Sequence, residues 1–269
     1  MSTLGWIILF NFLSGLVSAA VAALYLLLGE KARSRSLPHL VSFATGALLG
    51  AALLGLLPEA LESAGPDGVK GVTLSVLAGI ALFFVLEKLV IWRHCHADDC
   101  ETHVPDQHAH GHSPYSDHGQ RSAGTLILVG DTVHNILDGV MIAAAFLTDV
   151  RLGIVTGVAV MAHEIPSEVG NFAVLLHSGM SRGRALLSNL AISLASIIGG
   201  VIGYFFLSRA LGVLPYALGV SAACLLYVAV ADLIPGLHRR IETGHSLAQV
   251  VLIGAGIAVI AFAEHYAHP

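Results

Sequence analysis

Residues 6–28 read WIILFNFLSGLVSAAVAALYLLL, a run without a single charge. As an α-helix rising 1.5 Å per residue it would be about 34 Å long, enough to cross a hydrocarbon core about 30 Å thick. It is expected to be a span rather than a cleaved signal, because Met1 to Gly5 carry no basic side chain and the run exceeds the length of a signal's apolar core. Ser18-Ala19-Ala20 is the one patch of the kind a signal peptidase cuts. Seven further runs follow, at about 38–61, 70–92, 122–147, 152–178, 185–208, 213–235 and 247–265, separated by charges, Gly and Pro.

Composition agrees. Of 269 residues, 55% are hydrophobic and only 12% charged, and mean hydropathy is +0.79. A soluble domain carries about 25% charge, and no soluble fold of this size hides so much apolar surface. Low charge excludes disorder, and three cysteines exclude a disulfide scaffold. A membrane β-barrel would show segments of about ten residues with alternating polarity. The predicted fold is an all-α polytopic membrane protein of eight transmembrane helices. Residues 1–92 hold spans 1–3, 93–121 form one long polar loop, and 122–269 hold spans 4–8, all within one membrane domain.

Basic residues set the expected orientation. Lys31, Arg33, Arg35, Arg93, Arg121, Arg182, Arg184, Arg239 and Arg240 fall in one set of alternate loops, and only Lys70, Arg151 and Arg209 in the other. The positive-inside rule then predicts both termini outside and the 93–121 loop in the cytoplasm. The net charge of −5 says little about partners. The expected surroundings are a lipid bilayer, with no nucleic acid, and a homodimer is compatible with the sequence. Span two ends Gly55-Leu-Leu-Pro58-Glu59 and span seven Asp232-Leu-Ile-Pro235-Gly236. The two spans run in opposite directions, so the likeness is what an inverted repeat of spans 1–3 and 6–8 would leave.

Spans four and five carry the chemistry. Span four reads Gly130-Asp131-Thr-Val-His134-Asn135-Ile-Leu-Asp138-Gly139, and span five Met161-Ala-His163-Glu164-Ile-Pro166-Ser167-Glu168-Val-Gly170-Asn171. An acidic residue at mid-helix costs about 2.5 to 3.5 kcal/mol to insert. Four uncompensated carboxylates would therefore cost on the order of 10 kcal/mol, so the cluster needs a wet cavity, protonation or a cation. Protonation leaves the histidines unexplained. His134 and Asp138 share one helix face at i, i+4, as do Glu164 and Glu168, with Asn135 and His163 beside them. Pro166 cannot donate to the carbonyl of Ala162 and should free an acceptor and bend the helix there. His134 and His163 both fall near the bilayer midplane. Imidazole plus carboxylate without thiolate suits Zn²⁺, Fe²⁺, Mn²⁺ or Cd²⁺, so a divalent-metal site between spans four and five is predicted.

With these residues in view, the chain resembles the ZIP (Zrt/Irt-like) metal transporter family. His134-Asn135-x-x-Asp138-Gly139 looks like its HNxxDG motif, and His163-Glu164-Ile165-Pro166-Ser167-Glu168 looks like the HEIPHE motif of its animal-type branch, here HEIPSE. The resemblance implies uptake of divalent metal toward the cytoplasm, usually zinc and sometimes iron, manganese or cadmium, with no cofactor besides the carried ion. It also implies spans 1–3 and 6–8 as an inverted pair around spans 4 and 5, and room for two adjacent metals. By position, His134, Asp138 and His163 match primary ligands, Asn135 and Glu164 match groups at or bridging to the second position, and Glu168 completes the motif. Departures are Ser167 in place of a second histidine, Asn171 where many relatives carry Asp, and a span two without the Asp and histidines often found there.

The 93–121 loop holds His94, His96, His103, His108, His110, His112 and His118 among five carboxylates, with Cys95 and Cys100. It reads as a loose collector of delivered metal or as a solvated linker. Cys224 reads as an apolar filler. Glu59 and Asp232 line an entrance and exit or simply sit at the interface. His177 passes metal to the loop or caps its helix, and His265 and His268 are candidates for outer capture. A compact chain of this kind suits a bacterial cytoplasmic membrane. The competing class is an intramembrane metal-dependent hydrolase, since His163-Glu164-x-x-x-Glu168 superficially parallels H-E-x-x-H. Ser167 stands at that motif's second histidine, and Pro166 disturbs the helix it needs.

Overall fold

The computed structural model describes residues 1–25, 27–94, 116–177, 179–238 and 243–267, and among these there is no strand. The helices are α1 (Thr3–Tyr25), α2 (Glu30–Gly50), α3 (Leu57–His94), α4 (Ser116–Thr148), α5 (Val150–His177), α6 (Arg182–Ser193), α7 (Ala195–Leu207), α8 (Leu214–Tyr227), α9 (Ile234–His238) and α10 (Thr243–Ala267). Large apolar side chains such as Phe12, Leu74, Leu187, Phe206, Val250 and Phe262 point outward, while Asn11, Ser14, Thr45, Asn135, Asp138 and Glu168 are buried. This polar-in, apolar-out distribution is that of a helical protein whose solvent is lipid.

Among the described residues, five helical stretches are long and apolar enough to cross a membrane: Thr3–Tyr25, Lys31–Lys88, Arg182–Leu207, Leu211–His238 and Ser246–His265. Lys31–Lys88 is broken at Gly65, whose φ of 66° lies in the left-handed region that only glycine enters cheaply, and Pro66 follows. The predicted runs 38–61 and 70–92 lie on either side of that break. Helices α4 and α5 are absent from the five because their acidic and imidazole residues dilute the apolar content. The loop assigned to 93–121 lies mostly outside the described residues. Its edges are shifted, with α3 running to His94 and α4 starting at Ser116. Hydropathy marks where a helix enters lipid, not where its hydrogen bonding begins.

Two π-helical turns interrupt the ladders, at Ala51–Leu56 and Val228–Leu233. Each lies just before a proline, Pro58 or Pro235. The Leu57 N–H reaches back five residues to the Ala52 carbonyl, and Ile234 does the same to Ala229. A proline cannot donate and crowds the carbonyl four residues back, which a widened turn relieves. Span six is split at Leu194, where Ser193 and Ser196 bond back to the carbonyls of Asn189 and Ser193 at 3.0 and 2.8 Å. The bend expected at Pro166 does not break α5, which runs helical from Val150 to His177.

The most extensive helix pairs are α3 with α8, α4 with α7, α2 with α10, α1 with α5 and α4 with α5. Small residues allow the close crossings. A Cβ on Gly139 of α4 would strike the Ser196 carbonyl, and one on Gly199 of α7 the Ile136 carbonyl. Gly46 and Gly256 make the same approach between α2 and α10. Without a hydrophobic drive inside lipid, such backbone proximity is a main source of helix association. Gly199→Ala is therefore expected to cost about 1–3 kcal/mol of stability, seen as a lower melting midpoint in detergent. Gly254→Ala, with open space around it, should leave the midpoint unchanged or raise it.

Candidate metal centre

Helices α4 and α5 are joined by Asp149 alone, whose Oδ1 accepts the backbone N–H of Arg151 at 2.7 Å and of Leu152 at 3.4 Å. This cap fixes the start of α5 and with it the register of the pair. His134 lies fifteen residues before Asp149 and His163 fourteen after it, so each is a little over 20 Å along its own helix from the turn. The two imidazoles arrive at one level, and Asp138, one turn from His134, arrives with them.

The three donors form a nearly equilateral triangle. His134 Nε2 is 3.1 Å from His163 Nε2, His163 Nε2 is 3.4 Å from Asp138 Oδ2, and His134 Nε2 is 3.5 Å from the same oxygen. Zinc ligands about 2.0–2.2 Å from a tetrahedral ion stand roughly 3.3–3.6 Å from one another. Two edges match one face of a zinc tetrahedron and the third, at 3.1 Å, is slightly shorter; among the described residues no fourth His, Cys, Asp or Glu joins the group. The rings meet edge to face at 87°. His163 Nδ1 points at the Ala159 carbonyl at 3.4 Å, an acceptor for that proton which leaves the Nε2 lone pair for a cation. Asp138 and His163 are buried, whereas the His134 side chain is 26% exposed and forms the open edge.

Of the six residues expected at the site, His134, Asp138 and His163 come together, and Asn135, Glu164 and Glu168 are not part of that group. Asn135 Nδ2 donates to the Asp131 carbonyl at 3.0 Å. Glu164 Oε2 accepts from Ser14 at 2.7 Å and from Ser18 at 3.3 Å. Glu168 Oε1 accepts from Ser193, and its backbone carbonyl accepts from Asn189 Nδ2 at 3.2 Å. Among the described residues, Asn135 Oδ1, Glu164 Oε1 and Glu168 Oε2 are buried with no hydrogen-bond donor, whereas buried acceptors are normally satisfied.

Sequence reasoning did not find Ser14, Ser18, Ser193 or Asn189. Ser14 and Ser18 carry a signal after all, the i, i+4 spacing of hydroxyls in an otherwise apolar run. Ser18, part of the cleavage-like patch in the sequence, is fully buried against α5. Glu59 and His265, with Glu62, Asp149 and Glu264, line a separate cavity of about 370 Å³. Asp232 is exposed on the second π turn, and Cys224 is buried in α8. The readings on Cys95, Cys100, the side chains of His94 and His177, the remaining loop histidines and His268 fall outside the described residues.

A helical membrane protein with an imidazole–carboxylate triangle buried between two of its helices belongs among handlers of divalent transition metals. A family model described as ZIP Zinc transporter matches residues 3–264. The chain is 33% identical over 253 residues to Zinc transporter ZIP13 of Pongo abelii, covering 87% of this chain and 69% of that protein. It is 34% identical to Zinc transporter ZIP5 of Homo sapiens, over 92% of this chain and 58% of that one. Zinc transporter YKE4 of Saccharomyces cerevisiae is 29% identical over 87% of this chain and 72% of its own length. The chain belongs to the ZIP family of zinc transporters. Its members are transporters rather than enzymes, which sets the hydrolase reading aside.

In a chain whose loop histidines are replaced by glutamine, His163→Ala is expected to weaken zinc binding at least about tenfold in a chelator competition. His39→Ala, whose ring bonds the Arg35 carbonyl at 2.8 Å, should leave binding unchanged.

Proposed function

We propose that the protein carries divalent metal ions, zinc foremost, across the membrane into the cytoplasm, and that the ion crosses through His134, Asp138 and His163. The observation that carries this reading is the donor triangle, sized for one face of a zinc tetrahedron and open at one edge. Fe²⁺, Mn²⁺ and Cd²⁺ share the chemistry, since two imidazoles and a carboxylate without thiolate do not select strongly among them. Asn135, Glu164 and Glu168 add acceptors around the triangle and would hold or bridge to a second ion.

Eight spans follow when the break at Gly65 divides Lys31–Lys88 in two and α4 and α5 join the apolar stretches. The excess of Lys and Arg in one set of loops supports both termini outside. An inverted repeat draws support from the paired π turns before Pro58 and Pro235. The packing supports it too. Exchanging spans 1–3 with 6–8, and span 4 with span 5, turns the α3–α8 pair into α10–α2 and the α1–α5 pair into α7–α4.

Transport is read as alternating access. Helices α1, α4, α5, α6 and α7 pack mainly on one another, and α2, α3, α8 and α10 form the other set. Displacement of the first set along the second would expose the triangle first outward and then inward. The cavity lined by Glu59, Glu62, Asp149, Glu264 and His265 is read as the outer mouth, where negative walls concentrate cations. The His-rich loop is read as the first acceptor on the inner side. A bacterial cytoplasmic membrane is the expected location.

The test is zinc entry into proteoliposomes loaded with a metal-sensitive dye. The wild-type chain is expected to give entry, and His134→Ala/His163→Ala to abolish it. Entry that survives the double substitution overturns the pathway, and no entry of any of the four metals through folded wild type overturns the function.

A further inference from the structure

Glu164 is gripped by a helix that contributes nothing to the triangle. Ser14 and Ser18 of α1 both donate to Glu164 Oε2, at 2.7 and 3.3 Å, from one helix face. Both serines are 0% exposed and Glu164 2%. The other oxygen, Oε1, is buried and has no hydrogen-bond partner among the described residues. Glu164 follows His163 in the chain, yet it is not among the three grouped donors. Two hydrogen bonds to one oxygen hold the carboxylate toward α1.

We propose that Ser14 and Ser18 are positioning residues that hold Glu164 off the fourth vertex of the His134–Asp138–His163 site, and so set how readily a bound divalent ion is released. The inference rests on the transport reading above and concerns the regulation of that same site. Three protein donors leave one position on zinc for an exchangeable ligand, whereas four protein donors make a closed structural site. With Glu164 added, two carboxylates would neutralise a dication and two imidazoles would complete the tetrahedron, which favours retention. The hydroxyls of α1 prevent that closure. Their position is itself rigid. A Cβ on Gly15, between them, would lie 2.9 Å from Ser193 Cβ, so α1 sits directly against the α6–α7 junction.

The experiment measures zinc uptake kinetics of the full chain in proteoliposomes for wild type, Ser14→Ala, Ser14→Ala/Ser18→Ala, Glu164→Ala and the triple variant. Removing both hydroxyls is expected to lower KM for zinc and to lower kcat with it, because release slows. Ser14→Ala should move both constants the same way by less. In the Glu164→Ala background, removing the serines should change neither constant, a result that loosened packing of α1 would not give. A raised KM, unchanged constants, or shifts that persist without Glu164 overturn the proposal. If folded wild type moves no metal, the transport reading fails separately, and equilibrium zinc binding then decides. Tighter binding by the double serine variant supports the latch, and unchanged affinity overturns it.

Discussion

The fully buried carboxylate of Asp138 is the group around which the rest is arranged. An ionised side chain at mid-membrane carries a penalty of a few kcal/mol on insertion scales and persists only beside something that compensates it. Here the compensation is two imidazole nitrogens at 3.4 and 3.5 Å, which can serve that role themselves or share it with a dication. Everything near Asp138 keeps that triangle in register. The Asp149 cap sets equal arms on α4 and α5, glycines bring α7 within backbone contact of α4, and serines of α1 and α6 hold the two glutamates.

This distribution of polar groups has a consequence for exchange. A site built to keep its metal would close all four vertices with protein donors. In this one, three donors meet, a neighbouring glutamate is tied back, and one imidazole remains partly exposed. A carrier benefits from a site that is selective in donor type and incomplete in donor number.

Much of this was legible in the residues alone. Apolar runs broken by charge located the helices, and the i, i+4 spacing of His134 and Asp138 with the matched depth of His163 located the triangle. What spacing could not convey was which carboxylates join it. Glu164 is next to His163 in the chain, but consecutive helical residues point about 100° apart, and its partners Ser14 and Ser18 lie some 150 residues away. The π turns were foreshadowed only by the likeness around Pro58 and Pro235, since hydropathy does not register a change in hydrogen-bond spacing. The split at Leu194 was invisible for the same reason: it comes from serine back-bonding, not from a break in apolar character.

The most direct test of the triangle is zinc K-edge absorption on metal-loaded protein whose loop histidines and cysteines have been replaced. The account predicts two imidazoles per zinc with nitrogen and oxygen neighbours at about 2.0–2.2 Å, and one imidazole in the His134→Ala variant. An all-oxygen shell, or an imidazole count unchanged by that substitution, would contradict it.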